Sequence, residues 1–88
     1  MLEKTIKAAV RKRLTELGAY QFWPVPMGIG NVSIDCIGCH KGKFFGIECK
    51  RPGGKATPRQ IVTMREISKA GGIALLIDSM EEAENIKF

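Results

Sequence analysis

Apolar residues recur at helical spacing through the first part of the chain, with charged residues largely on the other faces. The apolar positions are Leu2, Ile6, Ala9, Val10, Leu14 and Leu17. This spacing predicts an amphipathic helix over residues 2–17. Gly18 supplies its end, because glycine readily adopts the left-handed conformation that commonly follows a helix.

Three short β-prone stretches follow, separated by glycine and proline. Residues 19–25 (AYQFWPV) predict a first strand, and the glycine-rich MGIGN that comes next predicts a loop. Residues 33–37 (SIDCI) predict a second strand, 38–42 a polar turn and 43–50 (KFFGIECK) a third strand. We therefore expect the second and third strands to form a hairpin.

Another helix is predicted after RPGGK (51–55), which interrupts regular structure. Thr57, Pro58 and Gln60 form the capping-box signature of a helix start. The helix should reach about Ala70, and its apolar stripe consists of Ile61, Met64 and Ile67.

The last part of the chain predicts one more strand and a short helix. The uninterrupted apolar run 72–77 (GIALLI) is typical of a strand buried on both faces. Ser79 and Glu82 form a second capping box. The predicted order is α-β-β-β-α-β-α, in a single domain over residues 1–88.

Composition adds a charge and a size constraint. The chain has 88 residues, a net charge of +5 and a pI near 9.4, which favours a polyanionic partner. A domain this short buries a modest core, so a homodimer is expected. No signal-peptide pattern and no run of the ~20 apolar residues of a membrane span occurs. We therefore expect a cytoplasmic protein without a membrane partner.

The sulfur-containing residues Cys36, Cys39, His40 and Cys49 allow several interpretations. C-x-x-C-H is the pattern of covalent haem attachment, but the chain shows no export signal. Structural zinc fits the ligand types better, although a second cysteine pair is missing. The interpretation we favour places Cys36 and Cys49 as small apolar residues on the packed face of neighbouring strands, with His40 solvated in the turn.

Strand alternation separates these sulfurs from a group of charged residues. Side chains alternate between the faces of a strand, so Glu48 and Lys50 point opposite to Cys49. If the cysteines face the core, the hairpin brings Asp35 beside Glu48 and Lys50 on the other face. Paired carboxylates suit Mg²⁺, and a neighbouring lysine can orient a water and offset phosphate charge.

These charged residues belong to an ordered set with a family resemblance. The set is Ile34-Asp35, then Ile47-Glu48-Cys49-Lys50, then Gln60. It resembles the PD-(D/E)xK nuclease superfamily and, within it, the VRR-NUC domains, with Ile34 in place of the superfamily's proline. The resemblance extends over nearly the whole chain and includes "GIECKRPGGKATPRQ" and "KAGGIALLIDSMEEAENI".

The resemblance implies a restriction-endonuclease-like α-β-β-β-α-β core, a mixed sheet flanked by helices, and Mg²⁺- or Mn²⁺-dependent cleavage of DNA. Asp35, Glu48 and the backbone carbonyl of Cys49 would be metal ligands, and Lys50 would position the attacking water. Stand-alone VRR-NUC proteins of this size resemble phage products that dimerise and cleave branched DNA such as four-way junctions. A phage protein would act in the host cytoplasm.

Two further residues match the family less specifically. Glu3 matches an additional acidic residue and would bind metal through water or hold a second ion. It is equally explained as a helix-start acid paired with Lys7. Gln60 matches the family glutamine at the edge of the active site, and its capping role explains it locally as well.

The remaining basic and aromatic residues give weaker predictions. Five basic residues are candidates for DNA phosphate contacts: Lys41, Lys43, Arg51, Lys55 and Arg59. Tyr20, Phe22 and Trp23 are of a type that stacks on bases, but core or dimer-interface roles are favoured. Two other functions stay open, a non-catalytic nucleic-acid-binding module and a small zinc-binding protein.

Overall fold

Three helices and four strands appear in the computed structural model, which describes residues 1–25 and 34–88. The helices are α1 (Glu3–Leu17), α2 (Pro58–Lys69) and α3 (Met80–Glu84), and the strands are β1 (Tyr20–Phe22), β2 (Cys36–His40), β3 (Lys43–Cys49) and β4 (Ile73–Ile77). The predicted order of elements is confirmed. Across the described ranges, no helix has the length and apolar character needed to cross a bilayer.

The four strands form one mixed sheet in the order β1-β2-β3-β4. β1, β2 and β3 are antiparallel neighbours, whereas β4 runs parallel to β3. Parallel neighbours need a crossover connection, and α2 provides it. The predicted fold class, an α/β protein with a mixed sheet flanked by helices, is therefore confirmed.

The core lies between α1, α3 and one face of the sheet. Each fully buried aliphatic or aromatic side chain contributes about 1.5–3 kcal/mol, and Phe45 stacks on Phe88 with ring centroids 4.5 Å apart. α2 lies on the opposite face and has no fully buried residue. The largest apolar core residues are Ile6, Val10 and Leu14 of α1 with Phe45 and Ile47 of β3.

Two strands differ in extent from the prediction. β1 is a three-residue strand, Tyr20–Phe22, instead of 19–25. β2 runs from Cys36 to His40 instead of 33–37, and the predicted turn at 38–42 shortens to residues 41–42. The predicted hairpin with β3 is present, with Cys36 opposite Ile47. Ser33 and the MGIGN loop lie outside the described residues.

Gly38 explains why the turn was predicted too early. A Cβ atom at Gly38 would collide with the Tyr20 carbonyl oxygen and the Phe45 ring. The glycine therefore marks a close approach of β1 within a strand and not a turn. As a result His40 ends β2, where its Nε2 lies 3.2 Å from the Leu17 carbonyl oxygen. The expectation that this histidine is simply solvated was wrong.

β4 is less buried than its apolar sequence predicts. The expected strand is present at Ile73–Ile77, but it is an edge strand that pairs with β3 alone among the described strands. Ile77 alone among its five residues is fully buried, and the others are half-buried. The expectation of burial on both faces was therefore wrong for the single chain.

The N-terminus of α2 has the capping box that the sequence predicts. The Thr57 hydroxyl accepts a hydrogen bond from the Gln60 backbone N–H at 3.2 Å. The Gln60 side-chain oxygen accepts one from the Thr57 backbone N–H at 2.8 Å. This reciprocal pair satisfies two backbone donors that a helix start otherwise leaves without partners.

We expect Thr57→Ala to lower the free energy of unfolding by about 1 kcal/mol, because the cap bond is lost. Urea denaturation of the metal-free protein measures the change. Thr63→Ala is the matched control. Thr63 lies inside the same helix, and its hydroxyl donates a hydrogen bond to the Arg59 carbonyl oxygen instead of capping the helix. Equal losses in the two variants would contradict a specific capping contribution.

Candidate active site

The two faces of the hairpin separate sulfur from charge, as strand alternation predicts. Cys36 and Cys49 are both fully buried among the core residues on the α1 side. Glu48 lies on the other side, where β3 ends and Gln60 of α2 contacts it. Asp35 comes directly before β2, next to Glu48, and its carboxylate also contacts Lys7 of α1. The structure therefore brings the two carboxylates together at the end of β3. Lys50, the lysine of the predicted site, follows β3 directly.

The two carboxylates are linked to each other's strands. The Asp35 backbone N–H donates to Glu48 Oε2 at 3.2 Å. In return, Asp35 Oδ2 accepts a hydrogen bond from the Cys49 backbone N–H at 2.9 Å. This exchange extends the β2–β3 pairing through side chains to the residue before the start of β2. It holds the Asp35 carboxylate at the end of β3.

Glu48 is 2% exposed, yet both of its carboxylate oxygens have partners. Gln60 donates from Nε2 to Glu48 Oε1 at 2.8 Å. Lys50 Nζ lies 3.8 Å from the same oxygen, and its side chain is 15% exposed. Gln60 thus has both of the predicted roles. It completes the capping box of α2 through its backbone N–H and its side-chain oxygen, and it donates a hydrogen bond to Glu48 from Nε2.

Burial strongly affects the ionisation of Glu48. Desolvation raises the pKa of Glu48 from its ordinary value of 4.5 to about 8, and the hydrogen bond and charge of Asp35 add to the rise. Lys50 opposes the shift only in part. At neutral pH and without a further cation, the pair therefore holds a proton on Glu48. A cation placed between the two carboxylates would remove this cost.

Lys7 is a contact of the site that the sequence analysis did not assign. Its Nζ lies 3.5 Å from Asp35 Oδ1 and 3.5 Å from Glu3 Oε2. Burial lowers the pKa of Lys7, but the charges of Asp35 and Glu3 outweigh burial, so the pKa is raised above 10.5. Glu3 therefore reaches the pair through Lys7. The i,i+4 spacing of Glu3 and Lys7 was the only sequence signal, and it could not show the contact with Asp35.

The five basic residues predicted to contact DNA fall into two groups. Arg51, Lys55 and Arg59 are exposed along the loop after Lys50 and at the start of α2. Lys41 and Lys43 are exposed at the hairpin turn, and residue 43 is five positions before Glu48 on an extended strand, about 16 Å away. The second group is therefore remote from the carboxylates.

The sulfur atoms do not converge on a zinc site. Cys39 is exposed, whereas Cys36 and Cys49 are buried on the other side of the sheet. Burial raises the pKa of Cys36 to about 11 and that of Cys49 to about 12, so both are protonated thiols. Metal ligation by cysteine requires the thiolate. In the described parts of the chain, no three side chains of His, Cys, Asp or Glu are grouped to hold a metal ion.

The fold of this chain is similar to that of a solved VRR-NUC domain. One matching structure is described as "VRR_NUC domain"; it has a TM-score of 0.78, is 18% identical, and the match covers 93% of this chain and 89% of that one. The chain has the VRR-NUC fold. No protein-family model matches the sequence. No curated protein sequence matches it either.

The VRR-NUC fold places the acidic pair at the junction of three elements. β3 carries Glu48, the start of β2 carries Asp35, and the first turn of α2 carries Gln60. The donors available to a cation here are hard carboxylate oxygens, which are the ligand type that Mg²⁺ and Mn²⁺ prefer. The residues present therefore fit such an ion, and the burial of Glu48 directly beside a second carboxylate, Asp35, is the observation that supports the fit.

In EDTA, we expect the free energy of unfolding to fall as the pH rises from about 5 to about 8. Unfolded Glu48 loses its proton near pH 4.5, whereas the folded protein keeps it until about 8. The folded state therefore binds more protons in this interval, and stability falls with pH. Between these pH values, the free energy of unfolding of Glu48→Gln should decrease by at least about 1 kcal/mol less than that of the unmodified protein.

Urea denaturation at several pH values measures the two slopes. Glu16→Gln makes the same chemical change at an exposed position of α1 and serves as the control. A Glu48→Gln slope equal to that of the unmodified protein would contradict a protonated buried acid.

Proposed function

We propose that this protein is a divalent-metal-dependent DNA endonuclease of the VRR-NUC type. The observation that carries the proposal is the buried Glu48 in contact with Asp35, Lys50 and Gln60 on a VRR-NUC fold. A carboxyl group that is 2% exposed destabilises a small domain when it ionises. Its presence is best explained by a cation that binds it during function.

In this proposal Asp35, Glu48 and the backbone carbonyl of Cys49 hold Mg²⁺ or Mn²⁺. The ion would supply Lewis-acid stabilisation of the phosphate oxygens and a more acidic water. Glu48 gives up its proton when it becomes a ligand. Gln60 orients Glu48 through the hydrogen bond to Oε1, and so acts by positioning.

Lys50 has the position and charge to act on the water and the phosphate. Its ammonium lies beside Glu48 but remains partly exposed, so it can contact Glu48 and a substrate together. A fixed positive charge at this point orients the attacking water and offsets the charge that develops on the phosphate. Glu3 is proposed to act with Lys7, which it contacts, either near the ion or through a bound water.

The substrate is proposed to be branched DNA, with a four-way junction as one candidate. The net charge of +5 supports a polyanionic partner. Arg51, Lys55 and Arg59 are exposed in the segment that connects Lys50 to Gln60, two residues in contact with Glu48, and are proposed to contact phosphates there. Lys41 and Lys43 stay in the proposal as contacts with a more distant part of the DNA.

A homodimer is proposed because one apolar surface remains uncovered in the single chain. Ile61 of α2 is 39% exposed. It lines a groove of about 360 Å³ together with apolar residues that include Met64, Ala74 and Leu76. The groove lies next to β4, an edge strand of the sheet. A second copy at this surface would add the burial that the sequence of β4 predicts.

We expect cleavage of labelled DNA that requires Mg²⁺ or Mn²⁺, stops with EDTA and falls at least about 100-fold in Glu48→Ala and Lys50→Ala. The assay compares duplex, flap, fork and four-way junction DNA. Lys69→Ala is the matched control for Lys50→Ala, because Lys69 lies in the last turn of α2, at the other end of that helix from Gln60.

DNA binding by the two inactive variants is measured in parallel, and it should persist. Binding without cleavage by the unmodified protein under every metal condition would favour the non-catalytic binding module instead. Stoichiometric zinc in a metal analysis would favour the zinc-binding alternative.

We expect Ile61→Glu to convert a dimer into a monomer, because it places a charge on the apolar surface of α2. Size-exclusion chromatography with light scattering measures the mass. Ala8→Glu introduces the same charge at an exposed position of α1 and should leave the dimer intact. An unmodified protein that is monomeric at all concentrations would contradict the proposed dimer.

A further inference from the structure

The sheet has an uncovered aromatic area on the same face as the acidic pair. Phe22 is in register with Ile37, and Tyr20 is in register with Cys39 and then Phe44. Residues in register share a face of the sheet. The three aromatic side chains are 67%, 50% and 44% exposed, in the order Tyr20, Phe22 and Phe44. We call the surface formed by Tyr20, Phe22, Ile37, Cys39 and Phe44 the aromatic platform.

The platform is open because α2 covers only part of this face. α2 packs on β3 and β4. Ile67 contacts the backbone at Gly46, where an added Cβ would collide with its side chain. Beyond Gly46, the same face of β2 and β1 continues outward with Ile37 and Phe22. The platform thus extends over β1, β2 and the start of β3, and α2 borders it at Phe44, which lines a groove together with Glu66 and Ile67.

Trp23 does not belong to the platform. Its indole N–H donates to the Gln21 side chain at 2.8 Å, and the guanidinium of Arg11 lies 4.8 Å from its ring centroid. Gln21 in turn hydrogen-bonds to Thr15 of α1. These contacts place Trp23 on the α1 side. Among residues 1–25 and 34–88, Tyr20 and Phe22 have no comparable cover, and they are 67% and 50% exposed.

The platform adjoins the acidic pair along β2. Ile37 lies two residues after Asp35, about 7 Å along an extended strand, and the row of Tyr20 and Phe44 lies about 7 Å further. A stacked nucleic-acid strand advances about 3.4 Å per nucleotide, so the platform spans roughly two to four nucleotides.

The charge on the strands of the platform suits a polyanion. β1, β2 and the part of β3 before Glu48 contain no acidic residue, whereas Glu66 of α2 lines a groove together with Lys43 and Phe44. Lys41 and Lys43 lie exposed at the hairpin turn beside Phe44. These two lysines are therefore at the end of the platform that is remote from the carboxylates. They can contact the backbone of a strand whose bases lie on the rings.

A second copy of the chain fits the platform less well. An aromatic side chain presents about 150–250 Å², so the exposed fractions of the three rings amount to an area on the order of 300 Å². A stable interface needs about 800 Å² from each partner. Unpaired bases need much less area, because each base stacks on a single ring and its phosphate is held by nearby lysines.

We infer that the aromatic platform stacks unpaired bases of the DNA substrate and so directs single-stranded DNA next to the acidic pair. The inference rests on the proposed nuclease function and adds a substrate feature to it. Stacking on aromatic rings tolerates any base, so the platform recognises the absence of pairing and not the sequence.

The test compares a double variant that removes the rings with one that keeps them. Tyr20→Leu with Phe22→Leu retains apolar side chains but removes the flat rings. Tyr20→Phe with Phe22→Tyr retains both rings and is the matched control. With EDTA present, we expect the leucine variant to bind a short oligothymidylate about tenfold or more weakly, and the control to bind like the unmodified protein.

Photo-crosslinking identifies the contact directly. Oligonucleotides that carry 5-iododeoxyuridine should crosslink to Tyr20, Phe22 or Phe44 in the unmodified protein. In the cleavage assay, the leucine variant should lose activity on flap and fork DNA and retain it on a four-way junction whose bases are all paired. Circular dichroism and thermal melting check that each variant is folded.

Equal binding of the oligonucleotide by the two double variants would overturn the inference. Conversion of a dimer into a monomer by the leucine variant would also overturn it, since the platform would then be a subunit interface. A protein that crosslinks through the platform but cuts no DNA with any metal would contradict the nuclease proposal and leave the stacking surface supported.

Discussion

The buried carboxyl group of Glu48 is the constraint on which the rest of the site depends. An acid on the third strand of a small sheet is stable there only if each oxygen finds a donor. The Asp35 backbone and the Gln60 side chain provide those donors, from β2 and from the first turn of α2. The position of α2 and the start of β2 are therefore coupled to one side chain.

This coupling explains which predictions from the sequence succeeded. Strand alternation placed Glu48 and Cys49 on opposite faces, because the period of a strand is local and needs no knowledge of partners. Capping signals located α2 for the same reason. The pairing of Asp35 with Glu48 needed one further step, the hairpin, and the exchange of two hydrogen bonds between their strands agrees with it.

The predictions that failed depended on contacts between distant residues. Gly38 was predicted to be a turn residue. Its position requires glycine for another reason, because the Tyr20 carbonyl oxygen and the Phe45 ring leave no space for a Cβ atom. β4 looked like a central strand because its residues are apolar, but its place in the sheet is set by the crossover. Lys7 looked like part of a solvated helix face, although its ammonium contacts an aspartate 28 positions later. None of these contacts has a local signature.

The two faces of the sheet divide stability and chemistry between them. On the α1 side, the core residues and both buried cysteines hold the sheet together without any ionisable group that must change its charge. On the α2 side, the helix has no fully buried residue and covers half of the face. A small domain with a single core cannot cover both faces completely. The incomplete cover is what the proposed substrate strand would use beside the acidic pair, and the proposed second copy of the chain would use the outer surface of α2.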